Sequence, residues 1–127
     1  MSGLDFKKLN VWQKSKDLAV DIYKLTSCGE IARDYGFLDQ IRKAAVSVSS
    51  NIAEGNDRES EKEFIRFLYI AKGSLAELRV QLEIARDIGY IDEANHSDMD
   101  AKCIEISRML GGFIKTLRSK VDPDPRL

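Results

Sequence analysis

The segment spanning residues 40–77, QIRKAAVSVSSNIAEGNDRESEKEFIRFLYIAKGSLAE, decides the fold. Leu38, just ahead of it, starts a 3-4-3-4 series with Ile41, Ala45, Val48 and Ile52, the spacing of one helix face. Beside that face run Ala44, Ser47, Ser50 and Asn51, all small, so a second helix backbone can approach closely there. Gly55 predicts a glycine stop for a helix over about 35–54. Ser60-Glu61-Lys62-Glu63 then has the form of a capping box, in which the serine caps a free N–H and Glu63 reaches back. Phe64, Leu68, Ala71, Leu75, Leu78, Leu82 and Ala85 follow at an unbroken 4-3-4-3-4-3, which predicts a long helix to about Ile88 with Gly89 as its stop.

The same pattern extends outward in both directions. Val11, Ser15, Leu18, Ile22 and Leu25 predict a first helix from about Asn10 to Ser27, stopped by Gly29. Met99, Cys103, Ile106, Leu110, Phe113 and Leu117 predict a fourth, from about Asp92 to Lys120. Both prolines, Pro123 and Pro125, fall in the last five residues, so nothing interrupts a helix ladder before them. The expectation is all-α: an antiparallel up-down-up-down four-helix bundle over residues 1–121, with 122–127 as a flexible tail.

At 127 residues, 43% hydrophobic and 32% charged, the chain has the makings of one globular domain. No stretch approaches the roughly 18 apolar residues of a membrane span, and MSGLDFKKLN lacks a secretory pattern. Cys28 and Cys103 match no metal or redox spacing, so reduced thiols and a cytoplasmic location are expected. Net charge is −1, unevenly placed: residues 1–50 carry 8 basic and 6 acidic groups, 51–101 carry 6 and 12, and 102–127 carry 6 and 3. Lys115, Arg118, Lys120 and Arg126 make a modest basic end, which the C-terminal helix dipole explains without any ligand.

More apolar surface is encoded than one bundle core uses. Trp12 and Tyr23 are surplus on the first helix, Ile65, Tyr69, Ile70, Val80, Ile84 and Ile88 on the third, and Ile104, Met109 and Ile114 on the fourth. A surplus of that size points to burial between copies of the chain. Trp12, Tyr23, Tyr69 and Val80 are the candidate interface residues.

No catalytic constellation emerges, and a non-enzymatic protein without cofactor, metal or small-molecule substrate is expected. Glu93-Ala-Asn-His96 has the Glu-x-x-His spacing of di-metal bundles, but that site needs two such motifs and the chain has one histidine. Ser47, Ser49 and Ser50 have no base in predictable reach. Lys72-Gly73-Ser74 lacks the first glycine of a phosphate loop and lies within a helix, where Gly73 is better read as permitting close helix crossing. Around the second turn, Asn51, Glu54 and Arg58 suggest either a structural Glu54–Arg58 tether or a polar groove for a partner. Arg42, Lys43, Arg58, Lys62 and Arg66 are the cations a nucleic acid would use, partly cancelled by Glu59, Glu61 and Glu63. Arg42, Asn51, Glu54, Arg58 and Arg66 are therefore the candidate partner or nucleic-acid residues.

A family resemblance runs through Phe6, Leu9, Val11-Trp12, Tyr23, Tyr35-Gly36 and Gln40-Ile41-Arg42-Lys43-Ala44-Ala45. It continues in Ser47, Asn51-Ile52-Ala53-Glu54-Gly55, Arg58, Ser60, Glu63-Phe64, Phe67-Leu68, Ala71-Lys72-Gly73-Ser74-Leu75, Glu77, Gly89-Tyr90 and the stretch from Leu110-Gly111 to Ile114-Lys115. On these residues the chain resembles the four-helix-bundle family encoded by intervening sequences within bacterial 23S ribosomal RNA genes. The resemblance implies a ring-like homopentamer with no established enzymatic activity. The accessory variability determinant proteins of diversity-generating retroelements look similar in fold, but they are strongly basic and work with a reverse transcriptase and RNA, whereas this chain carries −1. The leading expectation is a self-associating interaction or scaffold protein. The alternative is an RNA-binding accessory factor, associated with a reverse transcriptase or ribosomal RNA, that presents a basic face of the oligomer to RNA or to an RNA-bound protein.

Overall fold

The computed structural model describes residues 4–121. It contains four α-helices: α1 (Asn10–Leu25), α2 (Tyr35–Asn56), α3 (Glu61–Asp87) and α4 (Glu93–Val121). Short 3₁₀ turns at Phe6–Lys8 and Glu30–Arg33 precede α1 and α2, and no strand occurs among the described residues. The tail expected from Asp122 lies outside the described residues.

The predicted stripes become the core. All seven positions of the α3 series, Phe64 to Ala85, are buried, as are Ile41, Ala45, Val48 and Ile52 of α2. Each large side chain so enclosed contributes about 1.5–3 kcal/mol relative to exposure. α2 packs most extensively on α3, α3 on α4 and α1 on α2, and α4 returns to touch α1. On α4 the inward position is Ile114, where Phe113 was expected. A step of four from Leu110 stays nearer the stripe than a step of three, so Phe113 is left at the rim, edge-on to Phe64 at 5.1 Å.

The helix ends differ from expectation in three places. α1 stops at Leu25: Thr26 Oγ1 donates to the Ile22 carbonyl at 2.7 Å, and Gly29, with φ 79°, instead leads the following 3₁₀ turn. α2 does not stop at Gly55, which is helical and buried; it runs on to Asn56. Ser60 caps α3 by accepting from the Glu63 N–H at 3.1 Å, but the Glu63 carboxylate is held by Arg66 in place of reaching back. Gly89 does act as a stop, with φ 82°.

Cross-helix polar pairs set the register. Lys14 pairs with Glu105 (3.3 Å) and Lys102 with Asp21 (2.9 Å), both linking α1 to α4. Arg79 holds Asp100 between α3 and α4. Tyr90, just past α3, donates to Asp34 at the start of α2 (2.7 Å). Near the chain start, Asn56 Nδ2 donates to the Leu4 carbonyl at 2.8 Å.

Candidate functional site

Three of the five candidate partner residues converge at the α2–α3 corner. The cause is the glycine in α2. A Cβ at Gly55 would stand 2.7 Å from the Phe67 Cβ and 2.8 Å from Phe64 Cδ1, so only glycine lets the two helices close here. Phe67, which is buried, then carries two guanidinium groups over its ring: Arg58 at 4.7 Å and Arg66 at 4.6 Å from the centroid. Each cation also has an anion. Arg58 Nη2 donates to Glu54 Oε1 at 2.8 Å, the expected tether, and Arg66 grips both Glu63 oxygens at 3.1 and 3.3 Å. The bonds from Arg66 hold the Glu63 carboxyl below its ordinary range, and Glu63 raises Arg66 in return. Asp57, Arg58, Glu59, Ser60 and Glu63 line an open groove of about 520 Å³ beside this stack.

Asn51 and Arg42 lie elsewhere. Asn51 Nδ2 donates back to the Ser47 carbonyl (2.8 Å) and hydroxyl (3.0 Å), and Ser47 exchanges a 2.9 Å bond with Ser74 of α3. The small-residue face therefore does meet α3, through this ladder. Arg42 lies in the first half of α2, whereas Arg58 lies in the turn beyond its C-terminal end. Arg42 covers the Tyr23 ring at 4.4 Å, and donates to Thr26 Oγ1 (3.0 Å) and the Tyr23 carbonyl (3.3 Å), placing a cation at the α1 C-terminus. Beside it runs a groove of about 640 Å³, lined by Tyr23, Asp39, Arg42, Lys43, Val46 and Ser47.

The candidate interface residues divide similarly. Trp12 is half-buried against Phe6, with ring centroids 4.9 Å apart. Tyr23, Tyr69 and Val80 are exposed, Val80 at 58%. Gly73 is also exposed, and no atom lies within 4 Å of where its Cβ would stand, so it serves no helix crossing within the chain.

Two clusters escaped sequence reasoning. Phe67 as the shared ring for two arginines had no signature beyond an aromatic near basic residues. His96, read as a first-turn residue among acids, is in fact buried, with Nε2 3.1 Å from Glu83 Oε1 and Nδ1 3.5 Å from Arg86. The two ring nitrogens thus face opposite charges, Nε2 a carboxylate and Nδ1 a guanidinium. Arg86 also pairs with Glu83, Asp87 and Glu93, the bond to Asp87 doing most to raise its pKa. Among the described residues, no three His, Cys, Asp or Glu side chains gather to hold a metal ion, and no helix is long and apolar enough to cross a membrane.

Fold and site together define a four-helix-bundle protein whose polar clusters are ion pairs and arginine–aromatic stacks. The chain belongs to the 23S rRNA-intervening sequence protein family, whose pattern it matches over residues 7–112. It is also similar to a crystal structure from Bacteroides thetaiotaomicron VPI-5482, described as a protein with unknown function from the S23 ribosomal protein family. The two share 28% identity and a TM-score of 0.75, covering 83% of this chain and 98% of the other. No curated protein matches the chain.

Proposed function

We propose that the protein is a non-enzymatic, cytoplasmic scaffold: an up-down-up-down bundle that self-associates into a ring-like homopentamer. The direction of the helices is supported by the pairing order, in which rising α1 positions 14 and 21 meet falling α4 positions 105 and 102. The single observation that carries self-association is the outward face of α3. Tyr69, Ile70, Val80, Ile84 and Ile88 all stand exposed there, on one side of a helix turning every 3.6 residues, with Gly73 at its middle. Isolated exposed apolar residues are ordinary, but five gathered on one side of one helix, even with Glu77 and Asp87 beside them, call for a partner surface. The ring and its number rest on family resemblance. The cytoplasmic location is supported by two free thiols, Cys28 and Cys103.

RNA binding through Arg42, Arg58 and Arg66 has less support, because each guanidinium already has partners within the chain. Size-exclusion chromatography with light scattering on untagged protein, read at 260 and 280 nm, separates the readings. Five chains of 14.4 kDa, about 72 kDa, with a clean protein spectrum is the expected result. The same mass with excess 260 nm absorbance favours the RNA reading, and a 14.4 kDa monomer overturns self-association.

A further inference from the structure

Two sequence pieces far apart in the chain, Ala71-Lys72-Gly73-Ser74-Leu75 on α3 and Leu110-Gly111 on α4, meet across the α3–α4 seam. Lys72 Nζ lies 3.8 Å from where a Cβ on Gly111 would stand. A groove of about 310 Å³ opens there, lined by Lys72, Arg79, Ser107, Arg108, Gly111 and Gly112 among others. No carboxylate lines it. The groove at Arg42 includes Asp39, that at Lys102 includes Asp17, Asp21 and Glu105, and that at Arg58 includes three acids.

The donors here are also unspent. Arg79 is committed to Asp100, but Lys72, Arg108 and Ser107 make no side-chain hydrogen bond or ion pair among the described residues. Lys72 is half-buried as a residue, and its ammonium has no acceptor among the described residues. The floor adds an independent observation. Adjacent glycines inside a 29-residue helix weaken it, yet among the described residues outside that helix's own backbone no atom lies within 4 Å of where a Cβ on Gly112 would stand, and a Cβ on Gly111 would meet only the Lys72 ammonium. Bare backbone beneath unpaired cations lets an anion lie against the helix.

We propose that the α3–α4 groove binds a phosphoryl group, supplied either by a small phosphate ester or by a nucleic-acid backbone. Arg108 offers its planar fork to two oxygens, Lys72 a point charge to a third, and the Ser107 hydroxyl a further donor. The proposal is independent of self-association and uses none of the arginines at the α2–α3 corner.

The test is calorimetric titration of the full chain with pyrophosphate at low ionic strength, with circular dichroism confirming unchanged helicity in each variant. Saturable binding at one site per chain is expected, with Lys72→Gln and Arg108→Gln each weakening it roughly tenfold. Gly112→Ala should weaken binding while raising the melting temperature, a pairing that general destabilisation cannot produce. A short oligonucleotide that displaces pyrophosphate identifies the backbone as the source; one that does not identifies a small ester. Absent or unsaturable binding overturns the proposal, as does succinate binding equally well. Equal loss in Lys43→Gln, a cation outside the groove, overturns it too. So does a Gly112→Ala variant that binds normally but has a lower oligomer mass, because a second copy then occupies the groove.

Discussion

Gly55 and Phe67 are in contact so close that a single methyl at position 55 would overlap the Phe67 Cβ at 2.7 Å. The obstructing atom is the root of a side chain on a packed helix, so it cannot swing aside. Gly55→Ala is expected to destabilise the protein by about 1–3 kcal/mol, despite alanine's higher helix propensity. Urea denaturation checks this. Gly112→Ala, which meets no atom within 4 Å, should move stability in the opposite direction by about 0.5–1 kcal/mol.

That contrast marks what was legible in the sequence. Periodicity placed all four helices, and every position of the α3 stripe is buried as its spacing required. Gly55 was readable as important but not as helical, because a glycine needed for left-handed φ and one needed for close approach look the same in a sequence. Gly89 is the first kind and Gly55 the second. The site was harder. The Glu54–Arg58 tether follows from i,i+4 spacing, but the arginine stack on Phe67 depends on the angle at which α2 meets α3. Arg42 on α2 and Arg58 in the turn after it face different neighbours, a separation that a list of basic residues cannot reveal. The unspent cations at Lys72 and Arg108 were hidden for a related reason: pairing is decided by which side chains face one another.

Asp34 performs two tasks with two oxygens. Oδ1 accepts from the Phe37 N–H at 3.3 Å as the α2 N-cap, and Oδ2 accepts from the Tyr90 hydroxyl at 2.7 Å. Asp34→Ala is expected to cost about 1–2 kcal/mol through loss of the cap, and Tyr90→Phe should lower the melting temperature by less. The double variant should lose less than the two changes added together, because both remove the same bond. Thermal denaturation of the four proteins tests this.

The Arg79 guanidinium donates to both oxygens of Asp100, at 2.7 and 3.2 Å, and holds that carboxyl below its usual value. The folded state therefore binds this proton less readily than the unfolded one. Stability from the pair is full above the ordinary aspartate range near pH 4 and is lost as pH falls through the lower folded value. Asp100→Asn should lower stability at pH 7 and flatten its decline between about pH 5 and pH 2. An acid limb identical to that of the parent protein would show that the pair does not contribute.

The two cysteines should differ sharply in reactivity. Cys28 is exposed, whereas Cys103 is buried in the core and burial pushes its thiol up to about 12. The thiolate is the reactive species, so at pH 8 Cys103 is shielded by both access and protonation. Mass spectrometry after brief alkylation should find one label on the native protein, at Cys28, and two in denaturant.

Val80 is the most exposed apolar side chain on the outward side of α3, at 58%, and lies on the same face as Ile84 and Ile88. A charge placed there meets water in an isolated chain and costs little, since no core residue moves. At a subunit interface the same charge is buried without a partner, a penalty of several kcal/mol repeated at every contact. Val80→Arg is therefore expected to keep full helicity and near-parental stability at the level of the single chain, while its mass by light scattering falls to 14.4 kDa. Charging Val46 on α2, which is less exposed and lies off this face, should leave the assembly intact. If Val80→Arg keeps the parental mass, the outward side of α3 is not where the copies meet, and Tyr23 on α1 is the next position to charge.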